Sequence, residues 1–216
     1  MKILALEFSS PQRSVAAVSA EGRETAAREV IESGNAGAMQ MVEAALREAG
    51  WEREQVDVLA VGIGPGSYNG IRAAIAAAQG WELARGTKLL GISSADVIAE
   101  QAAADGLTGR AHVVIDAQRE EFYLAGYELR PGSIAILEPL RLVSVDEIRR
   151  LASAHETLVG PEITQWVAEG RVVFPRASAL GRLGLNRTDF SAGETLEPIY
   201  LRETNFVKAP PPRFVG

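Results

Sequence analysis

Apolar positions recur along this chain with two different periods, and the changes of period mark its elements. Ile3 to Phe8 is an almost unbroken apolar run, the pattern of a buried strand. The turn Ser9-Ser10-Pro11-Gln12 follows, and Ser14 to Ala20 predicts a returning strand. Glu21-Gly22 then predicts a short hairpin turn into Glu24 to Ile31. From Asn35 the period lengthens. Ala38, Met41, Val42, Ala45, Leu46 and Ala49 share one helical face, so a helix is expected over Asn35 to Ala49, closed by Gly50. Val56 to Val61 reads as the next strand, Gly70 to Arg85 as a helix, Lys88 to Gly91 as a short strand, and Ser94 to Ala104 as a helix.

A second cycle then begins. His112 to Asp116 is an apolar strand ending in an acid, and the polar turn Ala117-Gln118-Arg119-Glu120 leads into Phe122 to Glu128. The opening has the same layout: Ile3 to Glu7, a polar turn, a returning strand. Such a repeat of pattern predicts a duplicated unit, two similar α/β halves packed side by side with a cleft between them. The expected division is 1–108 and 109–216. Beyond it the pattern is less regular: a helix over Val145 to Ala154, a short strand over Thr157 to Val159, a helix over Ala177 to Leu185, and an extended Glu197 to Arg202. The tail Lys208-Ala209-Pro210-Pro211-Pro212-Arg213 reads as polyproline.

The segment between Val56–Val61 and the alanine-rich helix is Gly62-Ile63-Gly64-Pro65-Gly66-Ser67-Tyr68-Asn69-Gly70-Ile71-Arg72, a strand, a tight turn and a helix start. Glycines admit backbone angles closed to other residues and let another surface approach the main chain. Ser67 or Asn69 suits the helix cap, and free amides at a helix start attract anions. A Walker A loop requires Gly-Lys-Ser/Thr at its end, and this loop has no lysine. The dinucleotide spacing G-x-G-x-x-G places Ser67 or Asn69 in its last slot. Two readings stand side by side: a turn that needs glycine for shape, and a binding loop formed by Gly64, Pro65, Gly66, Ser67, Gly70 and Arg72.

Composition narrows the function. The 216 residues are 47% hydrophobic and 23% charged, ordinary for a soluble globular protein, and no apolar run approaches the roughly 20 residues that span a bilayer. The start Met1 to Glu7 is too short an apolar stretch, and acidic too early, for a signal peptide. The absence of cysteine excludes disulfides, zinc–thiolate sites and thiol catalysis. A cytoplasmic protein with no membrane role is expected. The net charge of −6, with Lys and Arg scattered, disfavours direct gripping of nucleic acid by this chain alone.

Candidate chemistry is sparse. The two histidines, His112 and His155, stand far apart in sequence, and neither has a second histidine one turn away. Ser67 lies on a sharp turn, but its surroundings are not the Gly-x-Ser-x-Gly elbow. No catalytic or metal site is expected. Glu7 and Asp116 end the corresponding strands of the two halves, where an ATPase would place acids for magnesium. Phe8-Ser9-Ser10-Pro11 has no glycine to admit a phosphate, so Glu7 reads as a carboxylate without catalytic duty. On the Gly70 helix, Ile71, Ala74, Ile75, Ala78 and Trp81 form a core face, and Ala73, Ala77, Gly80 and Ala84 form a stripe of small residues that admits another helix. Met39, Gln40 and Glu43 lie off the core face of the first helix.

Four segments together resemble the TsaB family, also called YeaZ, of the actin-like ATPase (ASKHA, ribonuclease H-like) fold. They are Leu4 to Ser10, Gly64 to Arg72, Asp116 to Tyr123 and Glu197 to Arg202. The resemblance implies an α/β fold of two halves and a role in making threonylcarbamoyladenosine in tRNA. It implies an accessory subunit, not the catalyst, that pairs with a related TsaD-like subunit and is joined by a TsaE-like ATPase. It implies a homodimer when alone, tRNA contact only through the complex, and ATP or ADP at the junction with the partner but no intrinsic cofactor. The two helix surfaces, Met39, Gln40 and Glu43 with Ala73, Ala77, Gly80 and Ala84, are the expected interface. The sequence departs from the family pattern at three places. Glu7-Phe8-Ser9 replaces Asp-Thr-Ser, Tyr68-Asn69 replaces Phe-Thr, and Asn35-Ala36-Gly37 stand where a His-Ser pair often opens the first helix. The competing readings are a small-molecule kinase or ATPase of the same fold, and a scaffold unrelated to tRNA.

Overall fold

The apolar run at the start becomes β1 (Lys2–Glu7), buried from Ile3 onward and central to a five-stranded sheet. The computed structural model describes residues 1–21, 24–33 and 37–201. Alternation places Leu4 and Leu6 on one face of β1 and Ile3 and Ala5 on the other. β2 (Gln12–Glu21) returns antiparallel, with Leu4 opposite Ala17, and β3 (Glu24–Ser33) completes the meander. After α1 (Ala38–Ala49), β4 (Val58–Gly62) lies parallel to β1 on its other side. After α2 (Tyr68–Arg85), β5 (Lys88–Ile92) is parallel to β4, giving the order β3-β2-β1-β4-β5.

The sequence repeat is real in three dimensions. Following α3 (Ser94–Ala104), β6 (Gly109–Asp116), β7 (Glu121–Arg130) and β8 (Ser133–Ser144) form a second antiparallel meander. Then come α4 (Val145–Ser153), β9 (Leu158–Gly160) parallel to β6, β10 (Arg171–Val172) parallel to β9, and α5 (Ala177–Gly184). The order is β10-β9-β6-β7-β8, the first sheet's order read from the other edge. This doubled α/β arrangement is the fold class expected.

The helices are exchanged between the sheets. α1 and α2 cover one face of the first sheet, where Met41, Val42, Ile71, Ala74 and Trp81 meet Leu4, Leu6 and Leu59. The other face is covered by α5, whose Ala177, Ala179 and Leu180 pack on Ile3, Val18 and Val58. At Gly181 of α5 a Cβ would press into Val18, so glycine sets how closely the helix seats. Conversely, α3 gives Ala95, Ile98, Ala99 and Ala102 to the second sheet and turns Val97 to the first. Ile148 of α4 covers the second sheet's far face, on Val114, Phe122 and Leu124. Polar contacts fasten the exchange. Arg182 Nε donates to Glu100 Oε1 at 3.1 Å, Ala177 N to Ser14 Oγ at 2.8 Å, and Tyr127 Oη to Asp96 Oδ1 at 2.7 Å. The division at residues 108 and 109 therefore separates the sheets but not the layers around them.

Gly50 ends α1 in the left-handed region at φ 66°, as its sequence position predicts. α1 is described from Ala38; Asn35, Ala36, the Gly22 turn and the tail from Arg202, with its proline run, lie outside the described residues. β8 and β10 have no counterpart in the sequence reading. Glu197 to Leu201, expected to be extended, is in no strand or helix and is held by Ile199 N donating to Ile63 O at 2.9 Å. No helix among the described residues is long and apolar enough to cross a membrane.

Candidate functional site

The glycine loop runs from the end of β4 to the start of α2, and Gly66 and Gly70 are explained by close approach to the chain just after β1. At Gly66, with φ 147°, a Cβ would overlap the Ser9 carbonyl oxygen; at Gly70 it would overlap that of Phe8. Ser67 N donates to Ser9 O at 2.7 Å, and Ser67 Oγ accepts from Gly70 N at 3.4 Å, so Ser67 and not Asn69 caps α2. Gly64 N donates to Ser94 Oγ at 3.2 Å, while Ser94 N donates to Gly64 O at 2.8 Å. Pro65 follows Gly64 through a cis peptide. Arg72 points along α2 instead of into the loop, donating to Tyr68 Oη at 3.1 Å. Of the two readings, the shape role accounts for the glycines, and the amides of Gly64, Ser67 and Gly70 are already engaged within the chain.

Glu7 is fully buried at the end of β1. Its carboxylate lies against Gly62, where any Cβ would overlap it. Ser9 N donates to Oε1 at 2.9 Å, and the Ser94 hydroxyl lies 3.1 Å from Oε2. Burial pushes the Glu7 carboxyl above its ordinary value, with the hydrogen bonds from Ser9 and Ser94 pulling the other way. A carboxylate so enclosed has no path to a magnesium ion in the cleft.

The cleft itself, about 360 Å³, opens where the strand ends of the two halves face one another. Ser9, Ser67 and Tyr68 come from the first half; Asp116, Gln118 and Glu162 come from the second. Among the described residues, two carboxylates and no lysine or arginine line it, a lining that does not suit a triphosphate. The turn after Asp116 holds three successive non-glycine residues in the left-handed region: Gln118, Arg119 and Glu120, at φ 66°, 62° and 61°. Such residues cost roughly 1–2 kcal/mol each. Asp116 Oδ1 accepting from Gln118 N at 2.7 Å, and Val145 N donating to Glu120 O at 3.0 Å, hold the turn. Nothing in the residue types signalled it.

The second surface is the outer side of α1 and α2. The core stripe Ile71, Ala74, Ile75, Ala78 and Trp81 is buried, as its spacing predicts. Among the described residues nothing covers the small stripe: Ala73, Gly80 and Ala84 are exposed, Ala77 is half-buried, and a Cβ added at Gly80 would touch nothing. Met39, 45% exposed, joins Ala77, Gly80, Trp81 and Ala84 around a groove of about 340 Å³. Gln40 and Glu43 are exposed beside it, with Glu43 paired to Arg53 at 2.7 Å. Leu83 is 88% exposed on the same helix, an apolar contact that the sequence reading missed. The chain from Gly193 onward borders α2: Gln79 Nε2 donates to Gly193 O at 2.8 Å, and within Glu197–Leu201 the Tyr200 ring stands 6.1 Å from Tyr68. Two segments distant in sequence thus meet at the start of α2. No group of three or more metal-ligating side chains occurs among the described residues.

Residues 28–199 match the family model described as TsaD, tRNA N6-adenosine threonylcarbamoyltransferase. The tRNA threonylcarbamoyladenosine biosynthesis protein TsaB of Escherichia coli (strain K12) is 28% identical over 186 residues, 76% of this chain and 78% of that protein. A solved structure, YeaZ from Pseudomonas aeruginosa, superposes with a TM-score of 0.78 at 27% identity, covering 93% of this chain and 99% of that one. A second, a protein with similarity to peptidase YeaZ from the same organism, gives 0.79 at 26% identity and the same coverage.

Proposed function

Because the chain belongs to the tRNA N6-adenosine threonylcarbamoyltransferase (TsaD) family, in its TsaB/YeaZ branch, we propose that it is the accessory subunit of a tRNA threonylcarbamoyladenosine-forming complex. It pairs with a TsaD-like subunit, which performs the transfer. The observation that carries this reading is the outer face of α1 and α2: a ridge of small residues, with Met39 and Leu83 exposed on the same two helices, that the described residues leave open. Small residues let a partner helix approach to contact distance, and the flanking apolar side chains supply buried area.

Glu7 enclosed under Gly62 and the acidic cleft favour a subunit without its own turnover over a kinase or ATPase. ATP or ADP at the subunit junction would take its countercharge from the partner, because this chain lines the cleft with carboxylates. The net charge of −6 suits tRNA contact made through the complex. A TsaE-like ATPase joining the pair, a homodimer through the same α1–α2 face when alone, and a cytoplasmic location complete the proposal.

The test is size-exclusion chromatography with light scattering, on this chain alone and mixed with the TsaD homologue of the same genome. A stable mixed complex is expected, lost in Ala77→Trp while the variant's unfolding midpoint stays within a few degrees of wild type. No complex with the wild-type chain, with or without nucleotide, overturns the pairing. An Ala77→Trp chain that pairs normally moves the interface elsewhere, and one that unfolds returns the stripe to the monomer's core.

A further inference from the structure

One histidine, His155, lines a hollow in the second half, and the other, His112, reaches Glu156 on the wall of the same hollow, although 43 residues separate the two in sequence. The hollow has a volume of about 690 Å³ and lies at the opposite end of β6 from the cleft. Leu107, Leu158 and Val167 form an apolar floor, and His155, Glu156 and Glu169 stand on the rim. Behind Glu156 lies His112, 1% exposed, with neither ring nitrogen in a hydrogen bond. Its Nε2 is 3.5 Å from Glu156 Oε2. A buried polar group left unpaired costs roughly 1–3 kcal/mol, so this imidazole calls for a group that fixes the Glu156 carboxylate against it.

The charge of the hollow says which group. Glu156 and Glu169 are both on its wall, and the C-terminal turn of α4 contributes Ala152 and Ser153. The carbonyl end of a helix carries partial negative charge. Arg171 is the sole lysine or arginine among the lining residues. The volume falls in the range of small-molecule sites.

We propose that this hollow binds a small protonated amine. The ammonium lies between the Glu156 and Glu169 carboxylates, and the short carbon chain rests on Leu107, Leu158 and Val167. With Glu156 held from outside by the ammonium, its inner oxygen accepts from His112 Nε2–H, and the buried imidazole is fixed in one tautomer. This site shares no residue with the α1–α2 face and does not depend on subunit pairing.

The chain's two histidines give a direct readout. Putrescine is titrated into the full-length protein at physiological ionic strength, with 1,4-butanediol as an uncharged control of the same length, and the imidazole C–H signals are followed by NMR. Saturable shifts of both histidine signals are expected with putrescine and none with the diol. Binding should be at least tenfold weaker in Glu156→Gln. Glu169→Gln, at an exposed position, should weaken it as well and carries the test if Glu156→Gln fails to fold. No saturable shift, wild-type affinity in both variants, or equal shifts with the diol or with added sodium chloride would each overturn the proposal.

Discussion

After β4 the first half places an eighteen-residue helix; after β9, at the corresponding point of the repeat, the second half places the short turn Ile163–Gln165 and then β10. The surrounding strands keep the same order in both halves. Strand order is set by the core, which both halves need. The connection after the fourth strand lies outside that core and is free to change. In the first half it became α2, with an outer face that the described residues leave bare. In the second half the shorter connection, with the end of α4, leaves a hollow beside β9. Function in this chain is sought where the two copies of one plan stop agreeing.

The sharpest way to test the shared part is at the ends of the two fourth strands. A Cβ at Gly62 would overlap the Glu7 carboxylate, and one at Gly160 would overlap the Val114 carbonyl oxygen. Each glycine keeps a fourth strand close to the first strand of its sheet. Gly62→Ala and Gly160→Ala are both expected to destabilise by about 3 kcal/mol or more, measured by urea unfolding. If only one is costly, the halves do not pack their inner strands alike. Slightly smaller is Leu180→Ala in α5, expected to cost about 2–5 kcal/mol by opening a cavity against the first sheet. Hydrogen exchange should then accelerate in β1 and β2, far along the chain from the substitution. Faster exchange confined to the second sheet would break the picture of exchanged helices.

The strand-end acid Glu7 sharpens the comparison by pH. Glu7 is buried and its carboxyl raised, so the folded chain keeps a proton that the unfolded chain has released. The stability this carries is full below about pH 4.5 and drains away as pH rises through the raised value. Wild type should therefore lose ground to Glu7→Gln as pH climbs above 4.5, followed by thermal unfolding. A constant difference between wild type and Glu7→Gln would mean that Glu7 ionises freely. The smallest effect is expected at Gly80. Gly80→Ala should stabilise the isolated chain by about 0.5–1 kcal/mol, since helix propensity rises and nothing meets the new methyl. The same change should weaken pairing with the TsaD-like subunit in the mixing experiment, because the methyl stands on the ridge.

Much of this was legible in the residues. The span of α3, the Gly50 cap and the buried stripe of α2 follow from periodicity and capping alone. β8 escaped because it is an edge strand with both faces largely open and Pro139 in its middle, which erases the alternation that marks a half-buried strand. β10, two residues long, carries no pattern at all. The glycine loop showed that something lies close, but not that the neighbour is the chain's own Phe8–Ser9 backbone, because the close approach links segments nearly sixty residues apart. The small stripe of α2 was visible as a surface that admits another helix; that the described residues leave it outside the core needed the packed structure. The meeting of His112 and His155 beside Glu156 depends on how α4 returns to β9, and nothing local in the sequence encodes it.

The exchange of helices also imposes a timetable. As the chain leaves the ribosome, every strand of the first sheet is out once Ile92 has emerged, and α1 and α2 can already close one face. The opposite face, with Ile3, Val18 and Val58, must wait for Ala177 to Gly184, some eighty-five residues later. At the usual speed of synthesis, about 5–20 residues per second, that is an interval of seconds. During it a nearly finished apolar surface faces solvent and any chaperone in reach, and a message cut short before α5 yields a product that cannot cover it.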